Sequence, residues 1–310
     1  MNHLQRYLVD EFLEDYVEGD LSRRQALKRI AGITGLAAAS QLLAACGVPQ
    51  TTTATTAPAA TTAPAATTAL AAPTASASDP NIIAAALSFP AADGQAMGYL
   101  ARPAAEGPRP IVLVCHENRG LTPHIEDVTR RVAQAGYVGC AVDLLWREGG
   151  IATVTDPDAV PGLLSGAPPA RHVADFKAAL DYLKTQPYAQ ADSAGMVGFC
   201  FGGGVTWLAA AGIPELRAAV PFYGPAVPVE QVPQIGAPVL AIYGEQDTRI
   251  NAGIPAIEAA MQENGKEYRK IIYPGVNHAF HNDTGTRYNA EAAQAAWAET
   301  LAWFKQYLDA

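Results

Sequence analysis

The sequence predicts an α/β fold in which a mostly parallel central sheet carries helices on both faces. The segment 111–115 is continuously apolar and rich in β-branched residues, as is typical of a strand buried on both faces. Strand-like and helical segments alternate along the chain, which favours a parallel sheet. Polar residues follow several strands directly, and sheets of this kind place their active sites at the carboxyl ends of the strands.

The elements are expected in a fixed order. Short runs rich in Val, Ile and Tyr predict the strands, and longer segments with helical spacing predict the helices. The predicted order is strand 111–115, helix 125–134 closed by Gly136, strand 137–142, a long loop rich in Gly, Pro and Asp, helix 173–184, a strand ending near 197, helix 205–211, strands 218–223 and 239–243, helix 254–264, strand 268–273 and helix 290–308.

Residues 1–46 are predicted to be an export signal. Arg23 and Arg24 precede an apolar run over residues 30–45, which resembles a twin-arginine signal. The run ends in Leu-Ala-Ala-Cys, which resembles a bacterial lipobox and implies cleavage before Cys46 and a lipid on that cysteine. The run is too short, and too rich in Ala and Gly, for a comfortable transmembrane span. We therefore expect an anchored protein on the outer face of the cytoplasmic membrane or in the periplasm; a chance amphipathic helix is the alternative.

Two further regions follow the predicted signal. Residues 47–80, mostly Thr, Ala and Pro, are predicted to be a disordered linker because they have little apolar surface to bury. Residues 81–310 are long enough for one sizeable α/β core and are predicted to form the catalytic domain. The formal net charge of −9 and the lack of a basic stripe argue against a nucleic-acid partner. The oligomeric state stays open, with a monomer as one option.

The cysteines do not suggest a disulfide framework or a metal site. Cys115 and Cys140 each end an apolar strand and are expected to be buried as small hydrophobic residues, although a disulfide between them stays open. No two cysteines have the spacing C-x-x-C, so neither zinc nor thioredoxin-type redox chemistry is expected. No metal and no organic cofactor is predicted.

The segment Gly-Phe-Cys-Phe-Gly-Gly at 198–203 predicts a nucleophile elbow with Cys200 in the place of the usual serine. An elbow joins a strand to a helix through one strained residue, and small neighbours are needed for this sharp turn. The helix N-terminus then points at the nucleophile, and its partial positive charge favours a thiolate. The alternative is a glycine-rich turn that holds a buried structural cysteine.

Two more strand ends carry candidate catalytic residues. Asp247 follows strand 239–243, and His278 follows strand 268–273. The order nucleophile, acid, base is that of α/β-hydrolases. In such a triad the thiolate attacks a carbonyl, the imidazole transfers protons, and the carboxylate fixes the imidazole tautomer. The sequence thus predicts that Cys200, Asp247 and His278 form a triad.

The loop after the first buried strand, His-Glu-Asn-Arg-Gly at 116–120, lies where an oxyanion hole is expected. The backbone N–H groups of Asn118 and Phe201 are the predicted donors. Each such donor stabilises a tetrahedral oxyanion by roughly 3–4 kcal/mol.

Four motifs together resemble the dienelactone hydrolase (carboxymethylenebutenolidase) family of the α/β-hydrolase superfamily, over residues 85–310. They are 116–120, 198–203, 244–247 and 277–280. The resemblance implies an ester or lactone hydrolase with Cys200 as nucleophile, His278 as base and Asp247 as its orienting group. It also implies that Glu117 contacts the resting cysteine and helps to form the thiolate; a salt-bridged structural acid is the alternative.

One departure concerns the substrate. The family's characterised lactone enzymes resemble one another in an arginine shortly after the catalytic histidine that binds a substrate carboxylate, whereas Asn282 stands four residues after His278 here. This argues against dienelactone itself, unless another cation takes the role. The candidate cations are Arg119, Arg147 and Arg287, and the candidate substrate-binding residues are Arg119, Trp146, Tyr223 and Asn282.

The sequence therefore predicts an enzyme that hydrolyses a small-molecule ester or lactone through a thioester on Cys200. One alternative is a polyester- or peptide-directed hydrolase of the same fold. Another is a non-catalytic surface lipoprotein that binds its ligand. A redox protein is disfavoured because no resolving cysteine lies near Cys200 in the sequence.

Overall fold

An eight-stranded sheet forms the centre of the computed structural model, which describes residues 1–45 and 79–309. Its spatial strand order is β1-β2-β4-β3-β5-β6-β7-β8; only the pairs β1–β2 and β2–β4 are antiparallel. The strands are β1 (Ile82–Ala91), β2 (Gly94–Pro103), β3 (Arg109–Cys115), β4 (Val138–Val142), β5 (Ala189–Phe199), β6 (Leu216–Phe222), β7 (Val239–Gly244) and β8 (Tyr268–Tyr273). The predicted mostly parallel sheet is confirmed.

Helices connect the parallel strands and precede the sheet. They are α1 (His3–Glu18), α2 (Arg23–Thr34), α3 (Leu36–Ala45), α4 (Pro123–Gln134), α5 (Val160–Gly166), α6 (Pro169–Lys184), α7 (Phe201–Gly212), α8 (Thr248–Asn251), α9 (Ile254–Glu263) and α10 (Ala290–Leu308). None of the helices in the described part of the chain has the length and apolarity needed to cross a membrane.

The helices cover both faces of the sheet. A side chain at Gly195 of β5 would meet Phe304 and Leu308 of α10, whereas one at Gly198 would meet Gly202 and Thr206 of α7. These two positions are three residues apart, and side chains alternate between the faces of a strand, so α10 and α7 lie on opposite faces. The helices on the two faces bury central strands such as β3, in which every residue from Pro110 to Cys115 is buried.

Most predicted elements are confirmed within a few residues, and α10 and β8 match residue for residue. The antiparallel hairpin of β1 and β2 was not predicted, because its alanine-rich strands have low β-propensity and no clear apolar alternation. The loop predicted after β4 is only partly irregular, since it contains α5. Cys115 and Cys140 are fully buried, as the sequence predicted, and the disulfide between them that the sequence left open is not formed.

The first 45 residues share one hydrophobic core with the sheet domain. Leu4, Leu8 and Phe12 of α1 belong to the same buried cluster as the strands, and each is at most 1% exposed. Arg23 and Arg24, the predicted twin arginines, begin α2 behind the cap formed by Ser22. Residue 46, the predicted lipidation site Cys46, and residues 47–78 of the predicted linker lie outside the described residues.

Candidate active site

Cys200 occupies a strained backbone position between β5 and α7. Its φ of 57° and ψ of −120° lie in a region that residues with a side chain rarely adopt. The turn is tight: a Cβ on Gly202 would lie 2.5 Å from the carbonyl oxygens of both Cys115 and His116. The strain persists because β3 and β6 hold the turn from both sides, and it directs Cys200 to the N-terminus of α7.

His278 and Asp247 meet at the same edge of the sheet. His278 Nδ1 lies 2.6 Å from Asp247 Oδ2 in a pair that is almost completely buried. The other oxygen of Asp247 accepts a hydrogen bond from Ile250 N at 3.3 Å, so the carboxylate also caps α8. A ring nitrogen of His278 and Cys200 Sγ lie within 4.8 Å of each other. The structure therefore brings the three predicted triad residues together.

The charges of the site are set by burial and by neighbouring ionisable groups. Burial and the Glu11 carboxylate raise the pKa of the Cys200 thiol. Burial disfavours a charged His278, but pairing with Asp247 outweighs it and raises the pKa of the imidazole well above its usual value. Burial likewise opposes a charged Asp247, yet the attraction of His278 lowers the pKa of that carboxyl. The surroundings thus disfavour a thiolate at rest, and Asp247 stabilises the imidazolium that forms when His278 takes up a proton.

The loop after β3 is held by a buried histidine. Leu144 N donates to His116 Nε2 at 3.2 Å, so the ring proton is on Nδ1, which donates to the carbonyl of Glu117 at 2.7 Å. This fixes the loop that carries Asn118. The backbone N–H groups of Asn118 and of Phe201, the first residue of α7, have no hydrogen-bond partner in the described part of the chain. They are free to serve a substrate oxygen.

The acid that contacts Cys200 differs from the one the resemblance implied. Both carboxylate oxygens of Glu11, on α1, lie 3.7 Å from Cys200 Sγ. Glu117 instead accepts a hydrogen bond at 2.6 Å from Asn282 Nδ2, and burial raises the pKa of its carboxyl. No hydrogen bond joins Glu117 to the thiol among the described residues, and the role of Glu117 in forming the thiolate stays a prediction. Asn282, predicted to bind substrate, holds Glu117 in place.

The predicted substrate-binding residues separate into two groups. Arg119 and Asn282 line a cleft of about 450 Å³ that also contains Cys200 and His278. Tyr223 packs edge-on against the His278 ring at 4.9 Å, and its buried hydroxyl has no hydrogen-bond partner among the described residues. Trp146 does not line this cleft: its ring packs under Arg147 at 4.1 Å. The substrate-binding prediction for Trp146 therefore has no structural support.

The candidate cations also differ in position. Arg147 is bound by Asp93 and Asp175, beside Trp146. Arg119 and Arg287 both line the cleft, and Arg287 binds acidic residues from the N-terminal region. Arg249, which the sequence did not single out, reaches the same region and pairs with Glu14 at 2.8 Å. The sequence feature that could have pointed to Arg249 is its position two residues after Asp247.

The loop that carries His278 is tied to α4. Asp283 accepts hydrogen bonds from Arg131 Nη2 at 2.5 Å and from His124 Nδ1 at 2.8 Å. These contacts lower the pKa of Asp283 far below its usual value. His281 is fully buried against Phe199, and burial lowers the pKa of its imidazole to about 3. The loop is thus a packed part of the core that positions His278.

Comparison with known proteins agrees with this geometry. The sequence profile of the dienelactone hydrolase family matches residues 96–308. The chain belongs to the dienelactone hydrolase family. It is 38% identical over 244 residues to a putative carboxymethylenebutenolidase of Methylorubrum extorquens, covering 74% of this chain and 84% of the relative. A putative carboxymethylenebutenolidase of Escherichia coli K12 is 34% identical over 245 residues, which cover 74% of this chain and 89% of that relative.

A solved structure supports the fold assignment. A putative dienelactone hydrolase from Klebsiella pneumoniae superposes with a TM-score of 0.69 at 35% identity, covering 73% of this chain and 99% of that one. The family identifies the protein as a carboxylic ester hydrolase of the α/β-hydrolase fold. Helices α1–α3 lie outside the matched residues, which begin at 96 within β2.

Three donor groups in the cleft also suit a metal ion. One ligand atom from each of Glu11, Cys200 and His278 lies within 4.8 Å of the others, and all three residues are buried. Cysteine, histidine and carboxylate are common zinc ligands. Assays of this site therefore need a chelator so that adventitious zinc does not block the thiol.

Proposed function

We propose that the protein hydrolyses esters or lactones through a thioester intermediate on Cys200. In this proposal His278 is the general base and acid, Asp247 orients its ring, and the N–H groups of Asn118 and Phe201 bind the oxyanion. The substrate is a small molecule, and the chemistry needs no metal or organic cofactor. The pairing of His278 with Asp247 at 2.6 Å, beside a cysteine at a helix N-terminus, is the observation that carries the proposal.

The acylation step uses the two ring nitrogens of His278 for different tasks. Asp247 holds Nδ1, so Nε2 is the nitrogen that takes the thiol proton as Sγ attacks the substrate carbonyl carbon. The tetrahedral oxyanion then collapses, the C–O bond to the leaving group breaks, and Nε2 gives its proton to the departing oxygen. An alcohol leaves, or a ring-opened hydroxyl remains attached when the substrate is a lactone.

Deacylation repeats these steps with water. Nε2 of His278 removes a proton from the water that attacks the thioester carbonyl, and the C–S bond breaks. The thiolate of Cys200 recovers the proton, and a carboxylic acid is released. The raised pKa of the Cys200 thiol agrees with a nucleophile that is protonated at rest and deprotonates as the substrate binds.

The nucleophile is tested by a pair of cysteine variants. Cys200→Ala removes the attacking atom, so hydrolysis of p-nitrophenyl acetate and of simple lactones should fall by roughly 10³-fold or more. Cys140→Ala removes a buried cysteine from β4, outside the site, and should keep activity. Wild-type activity in purified Cys200→Ala protein would overturn the mechanism.

The thioester is tested by trapping. His278→Ala slows deacylation because no base activates the water, so brief exposure to an activated ester should leave an acyl group that intact-mass and peptide mass spectrometry place on Cys200. An acyl group found on a different residue would contradict the assignment. A panel of polyesters and peptide amides, tested beside small esters and lactones, decides between this proposal and a polymer-directed enzyme. If the protein hydrolyses no substrate in the panel, the result would favour a ligand-binding lipoprotein.

We further propose that the chain is exported and anchored through a lipid on Cys46. The twin arginines, the apolar run and the lipobox-like ending support this proposal. Metabolic labelling with a radioactive fatty acid should mark the wild-type protein, whereas Cys46→Ala should carry no label. A labelled Cys46→Ala protein would refute this anchor site.

A further inference from the structure

Helix α1 fills the approach to the proposed nucleophile. The Tyr7 hydroxyl oxygen lies 3.1 Å from Cys200 Sγ and 3.4 Å from His278 Nε2. The Glu11 carboxylate lies 3.7 Å from the same sulfur. We propose that α1 is an intramolecular inhibitor that must leave the cleft before a substrate reaches Cys200. This inference rests on the proposed role of Cys200 as the nucleophile.

A substrate carbonyl needs open space next to the sulfur of Cys200, and α1 fills that space. An attack requires the carbonyl carbon about 3–3.5 Å from the sulfur, with a clear path to the histidine nitrogen. The Tyr7 hydroxyl contacts both Cys200 Sγ and His278 Nε2 and so takes this space. Only 3% of Cys200 and 4% of His278 are exposed while α1 is in place. An acyl group cannot reach the sulfur in this arrangement.

The charge that α1 brings to the site also opposes the reaction. A carboxylate beside the sulfur opposes formation of a thiolate, and Glu11 is the neighbouring charge that raises the pKa of Cys200 most. Glu11 also accepts a hydrogen bond at 2.8 Å from the side chain of Asn118, next to a proposed oxyanion donor. One residue of α1 thus disfavours the reactive form of the nucleophile and occupies the loop that would bind the substrate oxygen.

The sequence of α1 suits a docked helix. Leu4, Leu8 and Phe12 are spaced by four residues and form a fully buried apolar stripe. Tyr7 and Glu11, also four residues apart, lie beside this stripe and reach the catalytic residues. The helix is closed by the left-handed Gly19 at its C-terminus, which makes it a unit able to dock or detach as a whole.

Acidic residues hold the end of α1 at the rim of the cleft. Asp15, Glu18 and Asp20, which we call the acid latch, all contact Arg287 Nη2, at 2.9, 3.0 and 2.5 Å. Glu18 and Asp20 are largely exposed, and exposed ion pairs are weak and sensitive to salt. The latch can therefore be opened without altering the elbow or the triad.

A second contact fastens the neighbouring helix. Lys28 and Arg29 of α2 pair with Asp156 and Asp158, each at 2.7–2.8 Å, in the loop before α5. If the predicted cleavage before Cys46 occurs, it separates the whole inhibitory region from the sheet domain. Removal of the leader would then release the enzyme from inhibition.

The experiment reverses the charges of the latch in the full-length chain. The variant is Asp15→Lys/Glu18→Lys/Asp20→Lys, assayed with EDTA present. Alkylation of Cys200 by iodoacetamide, followed by peptide mass spectrometry, should become about tenfold faster because three attractive contacts to Arg287 become repulsive. Hydrolysis of p-nitrophenyl acetate should rise in the same proportion. Unfolding would abolish hydrolysis, so it cannot imitate this gain.

Two further variants make the result specific. The control, Glu106→Lys/Asp192→Lys/Glu263→Lys, changes the net charge equally at exposed positions away from α1 and should leave both rates unchanged. Adding Arg287→Asp to the latch variant restores opposite charges across the same contact and should return alkylation toward the wild-type rate. Failure of this charge swap to slow the reaction would mean that the latch does not hold α1.

The two readouts separate the inference from the proposed function. If no variant, the wild type included, hydrolyses esters, faster alkylation in a latch variant that keeps the wild-type circular dichroism spectrum would support the inhibitor and count against the proposed ester chemistry. Unchanged alkylation in the latch variant would overturn the inhibitor whatever the hydrolysis rate. A fall in hydrolysis together with faster alkylation would overturn it as well, because α1 would then be contributing to catalysis.

Discussion

The catalytic frame and helix α1 meet at Cys200 but are held by different kinds of contact. The frame places Cys200, Asp247 and His278 at the ends of parallel strands, where backbone geometry and buried hydrogen bonds fix them. Helix α1 is held by an apolar stripe and by ion pairs to the largely buried Arg249 and to Arg287 at the rim of the cleft.

This contrast separates what is rigid from what is removable. Moving a frame residue would require rebuilding the sheet edge or the elbow. Removing α1 requires exposing a few apolar side chains and breaking partly solvated ion pairs, which are individually weak. We therefore expect substitutions in the frame to remove activity or folding, and substitutions that loosen α1 to increase reactivity.

The largest effect is expected at the elbow glycine Gly198. A Cβ there would collide with the Gly202 carbonyl and with Thr206 Oγ1, neither of which can move without distorting α7. Gly198→Ala should lower the free energy of unfolding by about 3 kcal/mol or more, as measured by chemical denaturation. Gly236→Ala, at a glycine with open space around it, is the matched control. Equal stability of the two variants would show that the elbow is less rigid than described.

Asp247→Asn should reduce activity strongly while the fold persists. The amide keeps the shape of the side chain but loses the charge that stabilises the imidazolium and fixes its tautomer. We expect kcat/KM for p-nitrophenyl acetate to fall by about a hundredfold or more. The neighbouring acid Glu245 is exposed and contacts Gly275 N, so Glu245→Gln serves as the control. Comparable losses in both variants would argue against a specific role for Asp247.

The histidine loop gives a prediction about pH and stability. Asp283→Asn removes the charge that pairs with Arg131 and His124, at a cost of about 2 kcal/mol near pH 7. Because the folded-state pKa of Asp283 lies below its usual value of 3.8, this stabilisation is complete above about pH 5 and is lost as the pH falls through and below 4.

Denaturation curves at several pH values measure this difference. The gap in unfolding free energy between the wild type and Asp283→Asn should therefore narrow as the solution is acidified. Asp192→Asn, at an exposed position, should show little gap at any pH. A gap for Asp283→Asn that stays constant down to about pH 3 would contradict the depressed pKa.

The smallest expected effect is that of Glu11, on α1, on the pH dependence of Cys200 alkylation. Glu11 raises the pKa of the Cys200 thiol, so Glu11→Gln should move the rise of Cys200 alkylation with pH toward lower pH. Asp10→Asn, on the exposed side of the same helix, should leave the profile in place. Profiles recorded with iodoacetamide test this directly, and an unmoved profile for Glu11→Gln would show that its carboxylate does not act on the thiol.

Local patterns were sufficient to predict the frame. The elbow glycines, and the positions of Asp247 and His278 after successive apolar strands, predicted residues that the structure brings together. The hairpin of β1 and β2 was missed because its alanine-rich strands carry little local signal and are fixed by pairing with β4.

Side-chain partners across the fold were harder to predict. The interpretation of Glu117 as the acid beside the thiol came from a resemblance that begins after α1, and Glu11 takes that position here. Trp146 follows a strand end, as active-site residues often do, yet it packs with Arg147 away from the cleft. In both cases a position along the chain does not specify where a long side chain points.

The sequence by itself determined the sheet, the elbow and the order of the predicted triad residues, because each depends on periodicity and turn chemistry within a few neighbouring positions. Only the tertiary structure decided that Tyr7 and Glu11 reach Cys200. These residues are more than 180 positions away from Cys200 along the chain. Their contact depends on how α1 packs against the finished sheet, and no local pattern encodes such packing.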